Sequence, residues 1–168
     1  MIIYIIGFMG CGKSTVGKKI ATKINYPFID LDTLIENEQN KPIATLLDPE
    51  NEFKFRKMEK EALHSISDTN KNLVVSTGGG TPCFFDNINY MNSIGQTIYL
   101  EAGIPLIFDR LKNSKTVRPL IKNKTQAEIY DYIEQLLKER KKFYKQAKYK
   151  IDARSVKINQ IVDFLGFQ

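Results

Sequence analysis

Short apolar runs alternate along this chain with longer segments whose apolar positions recur every three or four residues. The runs at 1–6, 28–32, 72–76, 96–100 and 149–152 have strand length and are rich in Ile, Val, Tyr and Phe, which predicts β-strands. Helices are predicted over 14–24, 33–39, 52–66, 86–94, 104–111, 126–144 and 156–165, with a short helical turn at 43–47. Ile129, Ile133, Leu136 and Leu137 form the clearest apolar stripe, one face of a helix. Within the run at 72–76, Leu73-Val74-Val75 is continuously apolar, as expected of a strand buried on both faces of a parallel sheet. Regular alternation of strand and helix predicts the α/β class. No repeat, low-complexity tract or linker interrupts it, so residues 1–168 are expected to form one domain.

The junctions between elements carry the chemistry. The first strand breaks directly into Gly7-Phe8-Met9-Gly10-Cys11-Gly12-Lys13-Ser14-Thr15. Gly7, Gly12, Lys13 and Ser14 satisfy the P-loop spacing between a strand and a helix. Glycines there let the backbone turn its N–H groups inward at the positive end of the following helix, which makes a nest for phosphate oxygens. Lys13 adds a charge for the β- and γ-phosphates, and the Ser14 hydroxyl is a magnesium ligand. ATP and Mg2+ are therefore the expected donor and metal.

The second strand ends in Asp30-Leu31-Asp32. On a strand, residues two apart share a face, so both carboxylates are expected to point from its C-terminal end, where open α/β sheets place ligands. One suits water held on a metal. The other suits a hydroxyl proton, and Asp32 also reads as a helix cap. The third strand ends in Ser76, where many P-loop proteins carry a magnesium-associated aspartate, which leaves Asp30 as the available metal carboxylate. Gly78-Gly79-Gly80 follow, and three glycines at a strand end suit close backbone approach to a substrate or a tight turn. Arg56 and Glu59 lie three apart on a helix. That spacing admits both a solvated ion pair and a guanidinium fork held for a carboxylate or phosphate. The basic stretch 112–124, with Arg118 before Pro119, reads as a lid able to close over ATP. Arg140 stands among lysines and is indistinguishable from them by charge pattern.

Composition narrows the classes. Net charge is +6, and residues 101–168 hold 15 of the 25 Lys/Arg, which suits a polyanion such as ATP. No nucleic-acid recognition motif accompanies the charge, so no nucleic-acid partner is expected. No apolar run is long enough to cross a membrane. The N-terminus lacks signal-peptide regions, which points to a cytoplasmic protein. The only cysteines, Cys11 and Cys83, are expected as free thiols because one lies inside the phosphate loop. A zinc site has no support.

The whole chain resembles the shikimate kinase family. The resemblance is carried by G-F-M-G-C-G-K-S-T at 7–15, D-L-D at 30–32, E-F-K-F-R-K-M-E at 52–59, G-G-G at 78–80, R-P-L at 118–120 and R-K-K-F-Y with Ala147 at 140–147. It implies a three-layer P-loop kinase with a five-stranded parallel sheet between helices, a lid near 112–124 and a substrate-binding region near 33–62. The implied reaction moves the γ-phosphoryl of ATP to the 3-hydroxyl of shikimate. By the same resemblance, Gly10, Cys11, Gly12, Lys13, Ser14 and Thr15 hold ATP, with Arg110 along the adenine, Arg154 near it and Arg118 on the lid. Ser14 and Asp30 serve magnesium. Asp32 takes the shikimate hydroxyls, Arg56 and Arg140 clamp its carboxylate, and Gly78, Gly79 and Gly80 lie beside it. A monomer is expected. Three features depart from the family's habit: Asn51 and Val117 replace glycines, and the loop at 153–155 is short. A gluconate or nucleoside monophosphate kinase is the nearest alternative, and a nucleotide-dependent switch or nucleic-acid-binding ATPase the alternative of another class.

Overall fold

The first apolar run becomes β1 (Ile2–Ile6), and all five of its residues are buried. The computed structural model describes residues 1–47, 49–69, 71–114 and 124–167. Four more strands, β2 (Phe28–Asp30), β3 (Leu73–Ser76), β4 (Gly95–Glu101) and β5 (Tyr149–Asp152), complete one sheet in the order β2-β3-β1-β4-β5. Every pairing is parallel. β1 and β3 are buried throughout, whereas edge strands β2 and β5 are mostly half-exposed. That contrast is why the central strands read as unbroken apolar runs.

Among the described residues, eight α-helices flank the sheet: α1 (Lys13–Ile24), α2 (Leu31–Gln39), α3 (Ile43–Leu46), α4 (Glu52–Thr69), α5 (Asn87–Ile94), α6 (Ile104–Lys112), α7 (Gln126–Tyr144) and α8 (Ile158–Phe164). α1 packs on β1, β2, β3 and α8, α5 packs on β4, and α2 packs on α4. After β3 on one side of β1, the chain crosses to β4 on the other. This reversal opens a crevice at the carboxyl end of β1, the place where doubly wound sheets bind ligands.

One local expectation is corrected. The second strand stops at Asp30, and α2 begins one residue later. Asp30 is the helix N-cap, its carboxylate accepting the Thr33 amide at 3.4 Å, and Asp32 lies in the first turn. An aspartate followed by helix-compatible residues ends a short edge strand by offering its side chain to an otherwise unpaired amide. Gly95 caps α5, its amide donating to the Met91 carbonyl, and is also the first residue of β4, extended at φ −153°. A Cβ there would lie 2.6 Å from the Ile2 carbonyl and 2.8 Å from the Tyr4 ring, so the glycine serves close strand approach.

α7 matches its expected span 126–144. Its start is fixed by a capping box in which Thr125 Oγ1 accepts the Glu128 amide and Glu128 Oε2 accepts the Thr125 amide at 2.6 Å. Those bonds hold the Glu128 carboxyl below its ordinary range. The far end of this well-started helix delivers Arg140 and Tyr144 to the crevice. Among the described residues, no helix is long and apolar enough to cross a membrane.

Candidate active site

Two chambers meet over the carboxyl ends of β1, β2 and β3. The first, about 530 Å³, is lined by Gly10 to Val16 together with Asp30, Asp32, Ser76 and Arg110. The second, about 470 Å³, is lined by α2, α3 and α4 residues, the triple glycine and Arg140. Met9, Ser14, Asp30, Asp32 and Gly79 line both. The geometry is that of a donor chamber and an acceptor chamber sharing one threshold, which direct group transfer requires.

The donor chamber is shaped by backbone. Gly7, Gly10 and Gly12 adopt φ of 145°, 76° and 102°, conformations that a side chain resists. Lys13 is buried, its ammonium donating to the Phe8 carbonyl at 3.0 Å. Arg110 Nη1 donates to the carbonyls of Cys11 at 2.6 Å and Gly10 at 3.3 Å. It thus holds the loop from outside as well as lining the chamber. Thr15 lines the same wall. Arg154 does not line it; its guanidinium is tied to Asp152 at 2.6 Å, and Ala153 and Val156 form that edge instead. Hydrogen bonds from Arg154 keep the exposed Asp152 carboxyl down at about 2.

Sheet register explains how Asp30 comes to the missing acid. Asp30 pairs with Ser76, so the carboxylate reaches the floor of the loop from the adjacent strand. Ser14 Oγ donates to Asp30 Oδ2 at 2.5 Å and lies 3.2 Å from Ser76 Oγ. Two hydroxyls and one carboxylate form an all-oxygen set, the kind a hard divalent cation prefers.

In the acceptor chamber the two arginines differ. Arg56 is 4% exposed and Glu59 1%, with Nη1 on Glu59 Oε2 at 2.6 Å and both Nε and Nη2 on Glu52 Oε1. Burial works against the Arg56 charge, but the attraction of Glu59 and Glu52 outweighs it and raises the guanidinium pKa. The spacing-based ambiguity is resolved against a solvated pair. Three of its five N–H donors are engaged, leaving one on each terminal nitrogen. The Phe84 ring lies 4.6 Å from Arg56 Cζ. Arg140 is also buried, yet among the described residues no carboxylate lies within ion-pair distance of it. Its positive charge is available to an anionic ligand.

The triple glycine fits between these groups. An ideal Cβ on Gly79 would lie 3.2 Å from Arg140 Nη1, and one on Gly80 would lie 2.6 Å from Arg56 Cζ. Gly78 faces Asp32 Oδ1 and Thr81 Oγ1 at 2.8 and 2.9 Å in the same sense. Close approach is thus the reason for the glycines. Gly80→Ala is expected to displace the Arg56 guanidinium and raise acceptor KM by about tenfold with ATP KM little changed; steady-state kinetics with each substrate varied would show it.

Some site residues went unread in the sequence. Glu36 lines the acceptor chamber and accepts the Ile43 amide at 2.7 Å; its place four residues after Asp32 on one helix face was the available signal. Tyr144, four after Arg140, is fully buried and donates its hydroxyl to the Gly79 carbonyl at 2.6 Å. Burial holds its phenol far above the usual range. Both cysteines are free, and burial pushes the Cys83 thiol up to about 11. Arg118 and most of the expected lid lie outside the described residues.

A phosphate cradle opening onto a chamber of paired arginines and carboxylates defines a P-loop kinase acting on a small molecule. The sequence model of shikimate kinase matches residues 9–165. The shikimate kinase of Azobacteroides pseudotrichonymphae is 44% identical over 163 residues, 97% of this chain and 96% of that one. The crystal structure of shikimate kinase from Bacteroides thetaiotaomicron superposes with a TM-score of 0.93 at 38% identity, covering 98% of both chains. That of the Acinetobacter baumannii enzyme in complex with shikimate gives 0.85 at 29% identity, over 98% of this chain and 89% of the other. The chain belongs to the shikimate kinase family.

Proposed function

We propose that this enzyme transfers the γ-phosphoryl of ATP directly to the 3-hydroxyl of shikimate. The observation that carries this reading is the shared threshold: Asp32 stands where the P-loop chamber opens onto a chamber holding Arg140 and the Glu59-bound Arg56. A carboxylate- and hydroxyl-bearing acceptor matches those groups. The acceptor chamber also carries Asp30, Asp32, Glu36 and Glu59, an acidic surround that disfavours the phosphate of a nucleoside monophosphate.

The residues divide the reaction. The amides of Gly10, Cys11 and Gly12 and the charge of Lys13 hold the transferring phosphates, with Thr15 and Arg110 along the nucleotide. Arg154, paired with Asp152, would lie near the adenine. Ser14 and Asp30 would hold Mg2+. When bound, the metal supplies positive charge to the phosphate oxygens. Arg140 and the free donors of Arg56 receive the acceptor carboxylate. Gly78, Gly79 and Gly80 let the backbone approach its ring, and Asp32 accepts the attacking hydroxyl's hydrogen bond and its proton. Arg118, by the family resemblance, would neutralise charge on the transferring phosphoryl group. The enzyme acts as a monomer in this reading.

The test offers the purified protein ATP and magnesium with shikimate, gluconate or nucleoside monophosphates in turn, and follows ADP release. Shikimate alone is expected to support rapid release. Preference for gluconate or a monophosphate would overturn the reading.

A further inference from the structure

Thr81 lines neither chamber, yet it is completely buried one residue beyond the triple glycine, and its hydroxyl faces the ion pair that holds Arg56. We propose that Thr81 is a positioning residue: by hydrogen bonding to Glu59 it fixes the orientation in which Arg56 meets the acceptor carboxylate. The inference rests on the reading of Arg56 as an acceptor contact.

Glu59 has two oxygens with separate duties. Oε2 takes Arg56 Nη1 at 2.6 Å, and Oε1 takes the Thr81 hydroxyl at 2.6 Å. A carboxylate with one partner can turn about its last bond and carry a flexible guanidinium with it. With both oxygens bound, its plane is set, and so is the plane of Arg56. The other carboxylate on Arg56, Glu52, is half-exposed, and water competes for it. Glu59 is consequently the firmer anchor. The hydroxyl also occupies an oxygen that faces another acid, since Asp32 Oδ1, Glu59 Oε1 and Thr81 Oγ1 all converge on Gly78. Without a donor there, a buried carboxylate oxygen would be left facing a like charge.

Thr81 is itself held. Its amide donates to the Gly78 carbonyl at 3.2 Å, and its carbonyl accepts Asn87 Nδ2 at 2.9 Å. Asn87 is 1% exposed, and among the described residues its Oδ1 has no hydrogen-bond partner. A buried amide with an unmatched acceptor is unfavourable, so the bond it donates to Thr81 is the stabilising feature that offsets it. One turn of chain thereby sets the glycine backbone and, through Glu59, the arginine opposite.

The test compares Thr81→Val, which keeps shape but removes the hydroxyl, with Thr81→Ser, which keeps the hydroxyl. A hydrogen bond to a charged group is strong enough that Thr81→Val should raise the shikimate KM on the order of tenfold. ATP KM and kcat at saturation should stay within about twofold, and Thr81→Ser should match the parent enzyme within the same margin. If the valine variant does not fold, Thr81→Ala is read by the same criteria. An unchanged shikimate KM overturns the positioning role, as does a parallel rise in ATP KM or a serine variant as impaired as the valine one. Those results leave the proposed reaction standing. A parent enzyme inactive on shikimate refutes that reaction and takes this inference with it.

Discussion

Asp32→Asn is expected to lower kcat with shikimate by about a thousandfold, within the range that a positioned acid or base supplies. The substitution preserves size while removing the charge that would receive a proton in the proposed reaction. Asp32 lines both chambers and stands in the first turn of α2, facing Gly78. The P-loop glycines, Lys13 and Arg110 make the phosphate-facing part of the donor wall, so nucleotide binding should persist; equilibrium titration with ATP checks this. A variant retaining near-parental kcat would remove Asp32 from the chemistry. A loss of only about tenfold would assign it to orienting the hydroxyl, since a loose phosphoryl-transfer transition state places small demand on a base.

Arg140→Ala is expected to raise the shikimate KM by about two orders of magnitude, the scale for truncating one partner of a buried hydrogen-bonded charge pair. Arg56 enters the site with its charge already answered by Glu59 and Glu52. Arg140 is buried with no carboxylate at ion-pair distance among the described residues. An anionic acceptor therefore gains more from Arg140. Arg140→Lys should recover part of the loss through charge, but not the two-pronged geometry. ATP KM should be nearly unaffected, because Arg140 lines only the acceptor chamber. Unchanged shikimate affinity would refute the clamp.

The donor side was the more legible half. Strand, glycine loop, lysine and helix are consecutive residues, so their cooperation is written in adjacent positions, and the loop's geometry follows from where glycine alone is comfortable. α7 spans the predicted 126–144 to the residue, and the stripe at Ile129, Ile133, Leu136 and Leu137 is what announces it in the sequence. The acceptor side assembles β2's end, α4, the turn after β3 and the last turns of α7. Spacing along α4 placed Arg56 beside Glu59 but left burial undecided. Arg140 was hidden among lysines, and only packing beneath Phe8 and beside Gly79 separates it from them.

Asp30 and Asp32 mark the boundary between the two kinds of knowledge. Their placement at one crevice was expected from strand periodicity, but they reach it as a helix cap and a first-turn residue, because the edge strand ends earlier than its apolar pattern suggests. By itself the sequence determined the class of fold, the phosphate cradle and, through its motifs, the family, since these depend on local backbone preference and on residues in fixed order. Only the tertiary structure decided which arginine is already neutralised, which stands ready for a ligand, and which hydroxyl steadies the first. Those distinctions depend on burial and on partners far apart in the chain, quantities that exist only once the sheet has brought the strand ends together.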